Sequence, residues 1–301
     1  MGFMNDGKTT VLLTILYNMA AAGRSVILFS KEHGAMESAM YFAFIHSHAA
    51  QYRKNGIQLP SYKEFEEGHC TKEQGEQLKE IWRDMQSNKH NFKGRIEIQP
   101  LTDWDTMTNH LKSNHARNKY DVCGMDYLTR TDFPAGNPRF HDNDVKVLIG
   151  TAQRFTRDFD EGRGIVLVTP IQINRSGFTA AKKKKEGERK HDVTSVGNFS
   201  EFYWDMDVLI SLYSDDAMRL KRQVLVEVQK VRKSSARPSA TLYIDPRSEK
   251  VVDLGDMGFD TDTQKWLDAG SPMSKFVEKT ISVGDVQGSI FDTLDVVGGG
   301  A

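Results

Sequence analysis

Two hydrophobic patterns alternate along this chain. In the first, apolar residues run consecutively for five to seven positions, as in 25–29 (SVILF), 122–127 (VCGMDY) and 164–170 (GIVLVTP). A strand whose two alternating faces are both apolar belongs in a sheet covered on both sides. In the second, apolar positions recur every three to four residues, predicting helices over 9–22, 35–48, 71–88, 103–118 and 144–159. Thr71 suits the cap of the third, with Glu73 and Gln74 in its first turn. Residues 95–99 read as a further strand, and Gly124 locally weakens the one at 122–127. Beyond a polar stretch at 173–200 the helical period stops, and strands are predicted at 208–213, 224–230, 240–244 and 251–254. Strands alternating with helices, then strands alone, predict a mainly parallel twisted sheet flanked by helices with an antiparallel C-terminal extension. One large α/β domain over 1–255 is expected, followed by a flexible tail over 256–301, rich in Gly, Asp and Ser.

Composition narrows the class. The chain has 301 residues, of which 39% are hydrophobic and 27% charged, enough for a full core. The formal net charge is −1, so any nucleic-acid contact must come from a local patch. Cys70 and Cys123 are too few for a disulfide framework or a metal cluster, which fits a reducing interior. No apolar run approaches the ~20 residues of a membrane span.

The chemistry starts at the first residues. Gly2 to Thr9 read G-x-x-x-x-G-K-T, with Asn5 and Asp6 inside the loop and Thr10 after it. This is the spacing of a phosphate-binding loop. Gly2 and Gly7 allow the backbone to turn its N–H groups onto phosphate oxygens. Lys8 supplies a point charge for the β- and γ-phosphates, and the Thr9 hydroxyl suits a Mg²⁺ shell. A chain of this length carries the pattern by chance about 1% of the time, and the helix that follows, ending at Gly23, strengthens it. The bland alternative is a glycine turn ahead of an ordinary helix. A strand normally feeds such a loop, and only Met1 precedes Gly2 here. Either the chain is a fragment of a longer protein or its sheet lacks a central strand.

In open α/β sheets ligands collect beyond the carboxyl ends of the strands. Glu32 follows the first strand and is placed to polarise water. Asp126 ends the third and suits Mg²⁺, while Gln172 follows the fourth and suits sensing of a γ-phosphate. Singly, such residues are more often turns or helix caps.

Together they carry a resemblance. Glu32 in FSKEHGAMESAM resembles the strand-Ser-Leu-Glu-Met segment of DnaB-type replicative helicases, which are RecA-like ATPases. Met125-Asp126-Tyr127-Leu128 resembles that family's metal-binding Asp-Tyr-Leu strand, and Gln172-Ile173-Asn174-Arg175-Ser176 its Gln-Leu-Asn-Arg-Ser motif. Asp205-Met206-Asp207-Val208-Leu209 is similar to its Asp-Ala-Asp-Val-Val segment, and Lys230-Val231-Arg232 to its Lys-x-Arg segment. The resemblance covers about residues 2–255. It implies ATP and Mg²⁺ as cofactors, ATP sites between the subunits of a homo-oligomeric ring, usually a hexamer, and single-stranded DNA through its centre. A primase or loader is an implied partner, and the cytoplasm of a bacterial or phage-infected cell the implied location. Lys8 and Thr9 would bind phosphate and metal, Asp126 would order the metal, Glu32 would activate water, and Gln172 would couple the γ-phosphate to the DNA loops. Lys230 and Arg232 would act on the neighbour's nucleotide, Arg232 as an arginine finger.

The departures are specific. The family's amino-terminal partner-binding domain and the strand ahead of the loop lie outside this chain, which leads us to expect a phage or other mobile element as its source. The family's Arg-Glu-Ser-Gly loop aligns with Gly197-Asn198-Phe199-Ser200, without its arginine. Just before it, Lys182, Lys183, Lys184, Lys185, Arg189 and Lys190 sit with two glutamates, a net of four positive charges. Such a run either tracks DNA phosphates or is a solvated loop. The reading that results is an ATP-dependent DNA helicase. A RecA-like recombination or repair ATPase, a nucleotide-gated DNA-binding scaffold and a non-assembling fragment are its rivals.

Overall fold

The computed structural model describes residues 7–31, 33–47, 59–87, 92–128, 142–172, 179, 203, 205–232, 239–245, 247–253, 259–260 and 265–266. For 142–146, 259–260 and 265–266 only the backbone is described. Helix α1 (Lys8–Ala21) leads into strand β1 (Ser25–Ser30) and helix α2 (Ala35–Ser47). Then come α3 (Tyr62–Glu66), α4 (Lys72–Gln86), β2 (Arg95–Pro100), α5 (Trp104–Asn118) and β3 (Val122–Asp126). Helix α6 (Asp142–Gly162) and β4 (Val166–Val168) complete the first half. The second half holds β5 (Val208–Tyr213), α7 (Asp216–Leu220), β6 (Gln223–Val231), β7 (Ser239–Ile244) and β8 (Val251–Val252). A short antiparallel pair, β9 (Phe259–Asp260) with β10 (Lys265–Trp266), falls within the stretch expected to be a tail.

The caps explain the boundaries. Thr71 closes a reciprocal box with Gln74, and Asp103 accepts the Thr106 N–H at 2.8 Å. The short α3 was not foreseen, although Ser61 and Glu64 spell the same box. Helix α7, also unforeseen, starts on the Asp215 side chain. Helix α6 loses helical geometry at Phe159, where the period ended. Strand β4 is shorter than its apolar run because Gly164 adopts φ +84°, outside any strand conformation.

Strands β2-β1-β3-β4 form a parallel sheet in that order. Its apolar runs are shared between two faces. Val26, Leu28 and Val122 pack with α1, α2 and α4, whereas Ile27, Phe29, Cys123 and Met125 pack with α5 and α6. Gly124 faces Leu16, and a Cβ there would lie 2.4 Å from Leu16 Cδ1. The glycine therefore admits the helix rather than merely weakening the strand. Burying a leucine this completely contributes roughly 1.5–3 kcal/mol.

Strands β5-β6-β7-β8 form a separate, antiparallel sheet, whereas the sequence suggested one extended sheet. Helix α1 joins the two. Leu12, Leu13 and Leu16 belong to the core of the parallel sheet, while Val11 packs on Leu212, Val224, Val226 and Val251 of the other. The Val251 N–H also donates to Thr14 Oγ1 at 3.2 Å. Among the described residues no helix is long and apolar enough to cross a membrane.

Candidate nucleotide site

Helix α1 begins at the carboxyl ends of the parallel strands. Gly7 is its N-cap, in the left-handed region at φ +73°, with no side-chain cap and no acidic residue in the first turn. The first turn of this 14-residue helix thus carries no anionic side chain. Backbone N–H groups and the helix dipole then suit an external anion. Lys8 is the first helical residue and is buried, with only 7% of its surface exposed. Thr9 Oγ1 donates to Asp126 Oδ2 at 3.3 Å, across 117 residues.

Asp126 is 1% exposed at the end of β3. Strand register sets it beside Ser30, the last residue of β1, and its carbonyl accepts the Lys31 N–H at 3.2 Å. The chain leaving β1 toward Glu32 is therefore anchored to the residue that ends β3. The β3 and β4 ends are joined too, because the Leu128 N–H donates to Thr169 Oγ1 at 3.0 Å. Gln172, four residues past β4, is exposed, next to buried Ile171. A hydroxyl and a buried carboxylate are hard oxygen donors, the kind Mg²⁺ takes alongside phosphate oxygens and water. Thr9 and Asp126 fit that ion.

Other residues build the site without any readable motif. Tyr41, on α2, donates its hydroxyl to Thr10 Oγ1 at 2.9 Å, and burial pushes its pKa up. Ile244, at the end of β7, lies so near Gly7 that a Cβ there would be 3.2 Å from Ile244 Cδ1. Arg222 holds that strand end: its carbonyl accepts the Ile244 N–H at 2.8 Å, and its Nε donates to Ile244 O at 2.9 Å. Its terminal nitrogen also pairs with Glu249. Burial raises the Glu249 pKa against the pull of Arg222. The only sequence trace of this clamp is a pair of strands with polar ends.

The cations expected to act on a neighbour stand at the far end of β6. They are unequal. Lys230 is 8% exposed, with its ammonium over the Tyr203 ring at 4.5 Å and donating to the Tyr203 carbonyl. Burial, then the adjacent Arg232 charge, lowers its pKa, and Asp207 and Asp205 oppose this. Arg232 is half-exposed and pairs through Nε with Asp207 Oδ1 at 2.7 Å. Glu32, Gly2, Asn5, Asp6, the basic residues Lys182, Lys183, Lys184, Lys185, Arg189 and Lys190, and the 197–200 segment lie outside the described residues.

Comparison with known proteins adds the frame. No protein-family model matches the chain, and no curated protein matches it. Among solved structures it is similar to the ATPase domain of a phage DnaB-like helicase, at 19% identity over 84% of this chain and 82% of that one, with a TM-score of 0.60. It is also similar to a DnaB-like replicative helicase whose structure was described with its interactions with primase, at 19% identity and a TM-score of 0.59. The match covers 83% of this chain and 55% of that one, so this chain spans little more than half of that helicase. The four-stranded parallel sheet between helices, with its separate antiparallel sheet, is the RecA-like fold of DnaB-like helicase ATPase domains.

Proposed function

We propose that this chain is the motor of an ATP-dependent DNA helicase of DnaB-like type, one that moves on single-stranded DNA and separates duplex during replication. The observation that carries the reading is the Thr9–Asp126 pair, which joins the start of α1, with no side-chain cap, to the carboxyl end of β3. In this reading the α1 amides and Lys8 hold the β- and γ-phosphates. Thr9 and Asp126 hold Mg²⁺, which when bound offsets phosphate charge. Glu32 takes the proton of a water whose oxygen attacks the γ-phosphorus as the bond to the β-phosphate oxygen breaks. Gln172 couples a changed γ-phosphate to the chain that runs on to the basic 182–190 segment. Arg232, from the adjoining subunit of a ring, stabilises the charge of the transition state. A hexamer, with a primase or loader as partner, is the assembly this reading expects, in the cytoplasm of a bacterial or phage-infected cell.

The test is ATP turnover with and without single-stranded DNA, alongside a strand-separation assay, on protein of determined mass. DNA-stimulated turnover with unwinding is expected, and Glu32→Gln should keep nucleotide binding while slowing hydrolysis by ~10² to 10⁴. Stimulated turnover without strand separation would instead favour a recombination or repair ATPase. Nucleotide binding with no turnover would favour a gated scaffold.

A further inference from the structure

Arg232 is gripped twice by one residue. Its backbone N–H donates to the Asp207 carbonyl at 2.8 Å, and its Nε pairs with Asp207 Oδ1 at 2.7 Å. Asp207 immediately precedes β5 and Arg232 immediately follows β6, where Val208 and Val231 are ladder partners. The ladder therefore fixes both Cα positions, and the carboxylate acts on the side chain alone. The same corner holds Lys230 under Tyr203, and the Asp205 carbonyl accepts a bond from Gln153 Nε2 at 2.5 Å, tying it to α6.

A half-exposed ion pair contributes little to stability, so its value here is geometric. A guanidinium is planar and has two hydrogen-bonding edges. An acceptor on Nε engages the side edge and sets the plane, which directs the end edge, Nη1 and Nη2, away from Asp207. That end edge has the fork spacing that suits phosphoryl oxygens. Arg232 lies close enough to Lys230 to disfavour the lysine's charge, and Asp207 opposes this.

We propose that Asp207 is the positioning residue of the arginine finger, holding Arg232 in the orientation that meets the γ-phosphoryl group bound by the adjoining subunit. This rests on the reading of Arg232 as a finger. Asp207 would touch no substrate. It would lower the disorder of Arg232 before the nucleotide arrives, so its removal would reduce kcat and leave the KM for ATP nearly unchanged.

The experiment separates the two subunits of an interface. Arg232→Ala subunits keep the loop and lack the finger, whereas Lys8→Ala subunits keep the finger and lack the loop. Their mixture should recover DNA-stimulated turnover. Adding Asp207→Ala to the Lys8→Ala subunit should cut the recovered kcat about 10- to 100-fold, as a misplaced catalytic group does. Adding it to the Arg232→Ala subunit should cause no further loss, and Asp207→Glu should restore part of the activity. A general structural role would lower recovery equally from either subunit, and that result overturns the proposal. So does full recovery with Asp207→Ala on the finger-bearing subunit. Should Asp207→Ala misfold, Asp207→Asn, which keeps an acceptor oxygen without the charge, answers the same question. Full turnover of Arg232→Ala on its own would instead overturn the finger reading, and this proposal with it.

Discussion

Apart from Lys230, which is buried on β6, the charges this reading uses are held differently in the two sheets. In the parallel half Lys8 and Asp126 are 7% and 1% exposed, inside a sheet covered by helices on both faces. At the antiparallel end Arg232 stays half-exposed at a strand terminus, paired with a comparably accessible Asp207. Buried charges are costly unless matched, and in the first arrangement the Thr9 hydroxyl is one match for Asp126. The second leaves a cation where another molecule can reach it. The parallel half thus buries the charges assigned to it, and the antiparallel half leaves Arg232 at the surface.

The sharpest break of this contrast comes from Lys8→Ala against Arg232→Ala. Lys8→Ala should abolish nucleotide binding and turnover, because it removes the loop cation. Arg232→Ala should bind ATP almost normally and lose on the order of 10³ to 10⁵ in turnover. Equilibrium binding of a fluorescent ATP analogue, read beside turnover, checks both. Equal binding loss in the two variants would erase the distinction.

Stability should follow the same division. Leu16→Ala empties a site enclosed by α1, β3 and the glycine at 124, and should cost about 3–5 kcal/mol. Leu212→Ala lies in the small cluster with Val224, Val226 and Val251, which can relax, and should cost about 2–3 kcal/mol. Urea unfolding with a constant slope measures both. A larger loss for Leu212→Ala would mean that the antiparallel sheet is the better packed half.

The segment joining the halves offers a third measure. Replacing Lys182, Lys183, Lys184 and Lys185 with Ser should lower the magnitude of the salt slope of single-stranded DNA binding by up to about 3, and equally for all base sequences. An unchanged slope would make the run a solvated connector.

The smallest effect is expected at the outer edge of the parallel sheet. Glu97 on β2 accepts bonds from His110, Gln99, Tyr120 and Asn118. Partial burial raises its pKa, but these bonds win and hold it below the ordinary carboxylate value. A depressed folded pKa contributes stability that is present above the unfolded pKa and lost as pH falls through the folded one. Glu97→Gln should therefore show a shallower loss of stability in acid below about pH 4.5. Parallel acid unfolding curves for both proteins would remove Glu97 from the account.

Local chemistry was legible in the order of residues. The continuous apolar runs at 25–29 and 122–127 had to be buried on both faces, and Thr71 and Asp103 had to start helices, because those constraints act within a few residues. The loop ending at Lys8 and the strand end at Asp126 could likewise be singled out as candidates for phosphate and metal chemistry. Only the tertiary structure brought Asp126 to 3.3 Å from Thr9, seated Leu16 on Gly124 and split the strands into two sheets joined by α1. It alone set Ile244 against Gly7, put Arg222 behind that contact, and gave Arg232 to Asp207. These contacts join residues separated by 22 positions or more. What selects them is packing complementarity between elements, which no periodicity records.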